Sequence, residues 1–91
     1  MKKSVRLHIT GNMQAMFYER YIKENAQLNN LKGYFRKLED GRYEIFLEGN
    51  FDNVNSMIEL CKKGFQQSTV RNLDLKEEKF QDFKDFKVLK I

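Results

Sequence analysis

The stretch from Gly11 to Arg20, reading GNMQAMFYER, holds the residues whose types and spacing can do chemistry. It follows an alternating run and opens a helical pattern. A strand-to-turn-to-helix corner aims backbone N–H groups and the positive end of a helix dipole at one point. The chemistry on offer is anion binding. The charged side chain nearest the end of the loop is Glu19, and Arg20 follows it. Arg20 lies one residue, about 100° of helix rotation, past Glu19 and reads as a solvated helix residue.

Other reactive residues are sparse. His8 is the sole histidine and sits on the polar side of an alternating run, with no orienting partner or nucleophile in view, so it reads as a surface histidine. The single cysteine, Cys61, falls on an apolar helix stripe and reads as a buried, inert thiol. No His, Cys or acidic pair has metal-ligand spacing, and neither a metal nor a cofactor is expected. Phe17, Tyr18 and Tyr21 read as core and rim.

Ninety-one residues with 41% hydrophobic side chains suffice for one domain with one core, spanning 1–91. No window approaches the roughly 20 apolar residues of a membrane span. The MKKSVRLHIT start has no apolar run of signal-peptide length. A lone cysteine suits a reducing compartment, so a cytoplasmic monomer is expected. The formal net charge of +4 is spread without a block of like charges. Such a surface suits small anionic ligands such as phosphate and weakens a nucleic-acid reading.

The elements that must position the loop follow in order. Ser4 to Thr10 alternates, with Val5, Leu7 and Ile9 on one face, and reads as a strand that Gly11 breaks. From about Phe17 to Asn29 the period is helical, with Tyr18, Tyr21, Ile22 and Ala26 on one face and Leu28 near its end. Asn29 and Asn30 mark the exit. Leu31 to Leu38 and Tyr43 to Glu48 read as strands joined by an Asp40-Gly41 turn. Tyr43, Ile45 and Leu47 share one face of the second, and Glu44, Phe46 and Glu48 the other. Asn50 or Asp52 can cap a second helix carrying Val54, Met57, Ile58, Cys61 and Phe65, with Gly64 at its end. Ser68 to Leu75 is a fourth strand, Lys76 to Asp85 a long charged surface loop, and Phe86 to Ile91 a closing strand. Two helices crossing one face of a mainly antiparallel sheet make an α+β sandwich, βαββαβ, of the ferredoxin-like type. Fold alone does not choose a function.

Specific residues point further. Gly11-Asn12-Met13-Gln14-Ala15-Met16-Phe17-Tyr18-Glu19 is similar to the acylphosphatase loop G-x-V-Q-G-V-x-F-R. Gly33-Tyr34-Phe35-Arg36-Lys37 follows the family block G-W-V-x-N, and Asp40-Gly41 and Glu48-Gly49 follow its D-G turn and E-G strand end. Ala26 and Gly33 fall at the family spacing, and Phe83, Phe86 and Ile91 resemble its closing strand. The chain thus resembles the acylphosphatases over essentially its whole length.

The resemblance implies metal-free hydrolysis of acyl phosphates to carboxylate and phosphate. Loop N–H groups, here those of Gln14, Ala15, Met16, Phe17 and Tyr18, and one arginine hold the phosphate, while one asparagine orients the attacking water. In this chain the arginine position is Glu19 and the asparagine position is Lys37. A carboxylate repels phosphate oxygens, and an ammonium has no acceptor for a water proton. An ion pair between Glu19 and Lys37 across the old site is expected. Three readings follow: an impaired family member acting as a small binding or structural domain, an active enzyme using the loop with Arg20 or Lys37, and a single-stranded nucleic-acid module. The last rests on Lys32-Gly33-Tyr34, which begins like an RNA-recognition strand, with an exposed Tyr34 beside Arg36 and Lys37.

Overall fold

The computed structural model describes residues 1–64 and 68–89. Its order is β1 (Lys2–Asn12), α1 (Ala15–Leu28), β2 (Lys32–Lys37), β3 (Tyr43–Asn50), α2 (Phe51–Lys63), β4 (Thr69–Glu77) and β5 (Phe86–Leu89). The five strands form one sheet in the order β4-β1-β3-β2-β5, antiparallel except where β5 runs parallel to β2. This is the ferredoxin-like α+β arrangement that the alternation and helical periods imply. Among the described residues, no helix is long and apolar enough to cross a membrane.

Burial explains the elements. Val5, Leu7 and Ile9 of β1 pack with Tyr43, Ile45 and Leu47 of β3 and with Tyr18, Ile22 and Ala26 of α1 in one core. Val54, Met57, Ile58 and Cys61 of α2 complete it. Burial pushes the Cys61 thiol up to about 12, which makes it inert. Asn50 caps α2 by accepting from the Asp52 N–H at 2.9 Å. The Asp40-Gly41 turn is closed by Leu38 N–H donating to Arg42 O at 2.8 Å, with Gly41 at φ 91°. Phe65 and Ile91 lie outside the described residues.

Four expectations need correction. Gly11 does not end β1: the strand runs on to Asn12, and a register shift falls between Thr10 and Gly11 where β1 pairs with β4. A side chain at Gly11 would run into the Thr69 carbonyl oxygen, so the residue serves close strand approach. Helix α1 begins at Ala15, two residues before the periodic pattern becomes visible. Leu28 is 83% exposed and lies off the buried stripe of Tyr18, Ile22 and Ala26.

The fourth concerns the charged segment after β4. The strand order forces the chain to travel from the β4 edge to the β5 edge, about 19 Å at the usual strand spacing. Residues 78–85 make that crossing as a strap over the sheet face opposite the helices. Glu78 N–H donates to Ser4 O at 2.9 Å, and the N–H groups of Gln81 and Phe83 donate to the Glu48 carboxylate at 2.6 and 2.8 Å. Ser4 Oγ donates to the same carboxylate at 3.0 Å. Phe83 then closes a ring cluster with Tyr34 and Phe46, with centroids 5.1–5.8 Å apart. Both faces of β3 are therefore covered, and Tyr43 through Glu48 are all buried.

Candidate functional site

The loop between β1 and α1 is fastened at both ends. Gln14, in extended conformation, precedes the helix without a side-chain cap, and its N–H donates to Ser68 Oγ at 2.8 Å. Tyr18 N–H is already taken by the Gln14 carbonyl at 2.9 Å. Of the five loop positions, Ala15, Met16 and Phe17 are the ones whose N–H groups helix geometry leaves without an intrahelical acceptor. Ala15 does not occupy a positive-φ conformation, so the loss of glycine there adds no backbone strain. Met16 and Phe17 are exposed, which gives the mouth of the loop an apolar rim.

Of the two residues that the resemblance singles out, Lys37 lies at the end of β2 and Glu19 in the first half of α1. Lys37, exposed at the end of β2, stands opposite Tyr43 in the β2–β3 register, so the two side chains leave the sheet on its helix side. Glu19 is half-buried on α1. Burial, and after it the Glu19 carboxylate, holds the Tyr43 phenol above its ordinary value. Tyr43 also packs on Tyr18 and Phe35, at centroid distances of 6.0 and 5.3 Å. The Tyr18 hydroxyl donates to Cys61 O at 3.2 Å, and burial raises its pKa strongly. Tyr43 is thus a packed residue that Lys37 faces across the strand pair and that the Glu19 carboxylate influences. Arg20 is exposed and, with Glu19, Lys23 and Asp85, lines a cleft of about 590 Å³ between α1 and β5.

Two residues escaped the sequence reading. Ser68 is 54 positions from Gln14, and no local pattern links them. Glu44 sits at the centre of a network on the opposite sheet face: Tyr34 Oη and Arg36 Nε each donate to its Oε1 at 2.8 Å, and His8 Nε2 lies 2.7 Å from its Oε2. A phenylalanine between two glutamates on one strand face was the available signal, since it marks that face as covered. His8 is accordingly half-buried and partnered, not a free surface histidine. Tyr34 is not exposed either. Its ring stacks on Phe46, its edge meets Phe83 and its hydroxyl is bonded, so it offers no open platform for a base.

Burial alone would raise the Glu44 pKa, but the bonds from His8, Tyr34 and Arg36 outweigh it and lower the value below the ordinary 4.5. A lowered folded pKa contributes stability that is complete above the unfolded value and is lost as pH falls through the folded one. Glu44→Gln is expected to be less stable at neutral pH. It should also lose less stability than the natural chain between about pH 5 and pH 3 in thermal melts. An acid limb identical to that of the natural chain would show that Glu44 does not carry it.

A family model described as Acylphosphatase matches residues 5–88. The acylphosphatase of Syntrophus aciditrophicus (strain SB) is 32% identical over 90 residues, covering 98% of this chain and 94% of that one. That of Pyrobaculum aerophilum is 35% identical over 83 residues, covering 89% and 87%. A solved structure, an acylphosphatase from Bacillus subtilis, superposes with a TM-score of 0.91 at 24% identity over 99% of this chain and 100% of that one, a likeness of fold. With a family match over nearly its whole length and relatives above 30% identity, the chain belongs to the acylphosphatase family.

Proposed function

We propose that this domain keeps the family's anion loop but has lost, or nearly lost, acyl-phosphate hydrolysis, and acts as a small anion-binding domain. Membership of the family supports a phosphate-type ligand. The N–H groups of Ala15, Met16 and Phe17 supply the remaining cradle. One observation carries the impairment: the half-buried carboxylate of Glu19, at the family's arginine position, acts on Tyr43 at the end of the sheet where Lys37 stands. Two unit charges about 4 Å apart interact by roughly 4 kcal/mol at an effective dielectric of 20. A carboxylate where a guanidinium is needed therefore works against both phosphate binding and its transition state. Lys37, placed for the water-orienting asparagine, is a donor only. Glu19 and Lys37 bring opposite charges to the neighbourhood of Tyr43, in place of the arginine and asparagine that the resemblance calls for.

Titration with inorganic phosphate tests this reading. Glu19→Gln removes the charge and little volume, and is expected to tighten phosphate binding by about tenfold, the equivalent of 1.4 kcal/mol. The gain should shrink at high salt, because the repulsion is partly screened. Unchanged affinity in Glu19→Gln would mean that the carboxylate does not face the anion, and the reading would fall.

A further inference from the structure

Far from the loop, where β1 and β2 begin, the strap and the sheet enclose a second pocket of about 400 Å³. Lys2, Lys32, Glu48, Phe80, Asp82 and Phe83 line it. Its size falls in the range of small-molecule sites. Phe80 is 46% exposed, and Phe83 stands beside it as the edge of the buried ring cluster, so one wall is aromatic. Lys2 Nζ lies 4.7 Å from the Phe80 ring centroid. Lys32 stands opposite Glu48 in the β2–β3 register and leaves the sheet on the strap side.

The charges in this pocket are unevenly spent. The buried Glu48 carboxylate already accepts from Ser4 Oγ, Gln81 N–H and Phe83 N–H. Asp82 is engaged by Lys84 at 3.3 Å. The Lys32 ammonium has no hydrogen-bond or ion-pair partner among the described residues, and that of Lys2 has only the face of Phe80. Both carboxylates thus have hydrogen-bond or ion-pair partners, while neither ammonium has one among the described residues beyond the half-exposed Phe80 ring. We propose that this pocket binds a small organic anion with a planar ring, the ring against Phe80 and Phe83 and the anionic head between Lys2 and Lys32. The site is separate from the β1–α1 loop and does not depend on hydrolysis there.

The test is an amide chemical-shift titration of the natural chain with phenyl phosphate, with inorganic phosphate and benzyl alcohol as controls. Saturable shifts are expected at Lys2, Lys32, Phe80 and Phe83, with neither control saturating there over the same range. An exposed charge contact is worth about 0.2–1 kcal/mol, so Lys2→Gln and Lys32→Gln should each weaken binding by about 1.4- to fivefold. The double variant, whose dispersed spectrum verifies its fold, should lose about two- to thirtyfold by the same conversion. Shifts confined to Ala15, Met16 and Phe17 would overturn the proposal and leave the anion loop standing. Saturation unchanged in the double variant, or no saturation at all, would overturn it equally.

Discussion

The double change Glu19→Arg and Lys37→Asn is expected to raise the rate of acyl-phosphate hydrolysis by on the order of 10²–10³-fold over the natural chain. That is the range seen when one preorganised charge-stabilising donor is lost or restored. The expectation follows from the backbone. Ala15, Met16 and Phe17 occupy the first turn of α1 with their N–H groups unclaimed by the helix, and Gln14 is fastened to Ser68. The frame for positioning a phosphate is therefore present, and phosphoryl transfer needs little else beyond charge placement. An arginine at position 19 supplies a planar fork for two phosphate oxygens, and an asparagine at 37 supplies the acceptor that lysine lacks. The gain should be strongly non-additive, since fork and water act on one transition state. A silent double variant would move the defect into the loop itself, around Ala15 and Phe17.

The second large effect concerns stability. Glu48→Ala is expected to destabilise the fold by about 3 kcal/mol, since bonds to a charged group contribute roughly 1.5–3 kcal/mol and three donors lose their acceptor at once. At about 4–8 °C per kcal/mol for a domain of this size, the melting temperature should fall by roughly 12–24 °C. Glu48 is 1% exposed, and it receives the strap at Gln81 and Phe83 while bonding Ser4 of β1. Without it the strap loses its anchor, and Phe83 loses the hold that seats it against Tyr34 and Phe46. Glu48→Gln keeps the shape and one acceptor and should cost about half as much. Thermal and urea unfolding measure both variants. A loss below about 1 kcal/mol for Glu48→Ala would mean that ring packing alone holds the strap.

What could be read in the sequence followed range of interaction. The Val5, Leu7 and Ile9 alternation, the Val54-Met57-Ile58-Cys61 stripe and the Asp40-Gly41 turn are local patterns, and each lies where periodicity or turn chemistry puts it. Glu19 and Lys37 are singled out only by the spacing of a family motif, because nothing local marks either as special. The strap was misread because its composition is charged. Its order comes from backbone N–H groups reaching a glutamate over 30 residues away, and a composition window carries no trace of that. Gly11 was misread for a related reason: glycine often ends strands, but here it admits the close approach of a neighbouring strand. Tyr34 illustrates the same limit, since the motif-like Lys32-Gly33-Tyr34 run suggests an exposed ring and cannot reveal that Phe83 and Glu44 claim it.

The central claim, that the natural chain has lost its family's hydrolysis through Glu19 and Lys37, is tested most directly by its own turnover. The measurement is hydrolysis of benzoyl phosphate by the purified natural chain, run beside Arg20→Ala and against the spontaneous rate. The account predicts that both proteins leave the spontaneous rate unchanged. Clear turnover by the natural chain that Arg20→Ala abolishes would contradict it, and would mean that the site has been rebuilt around Arg20.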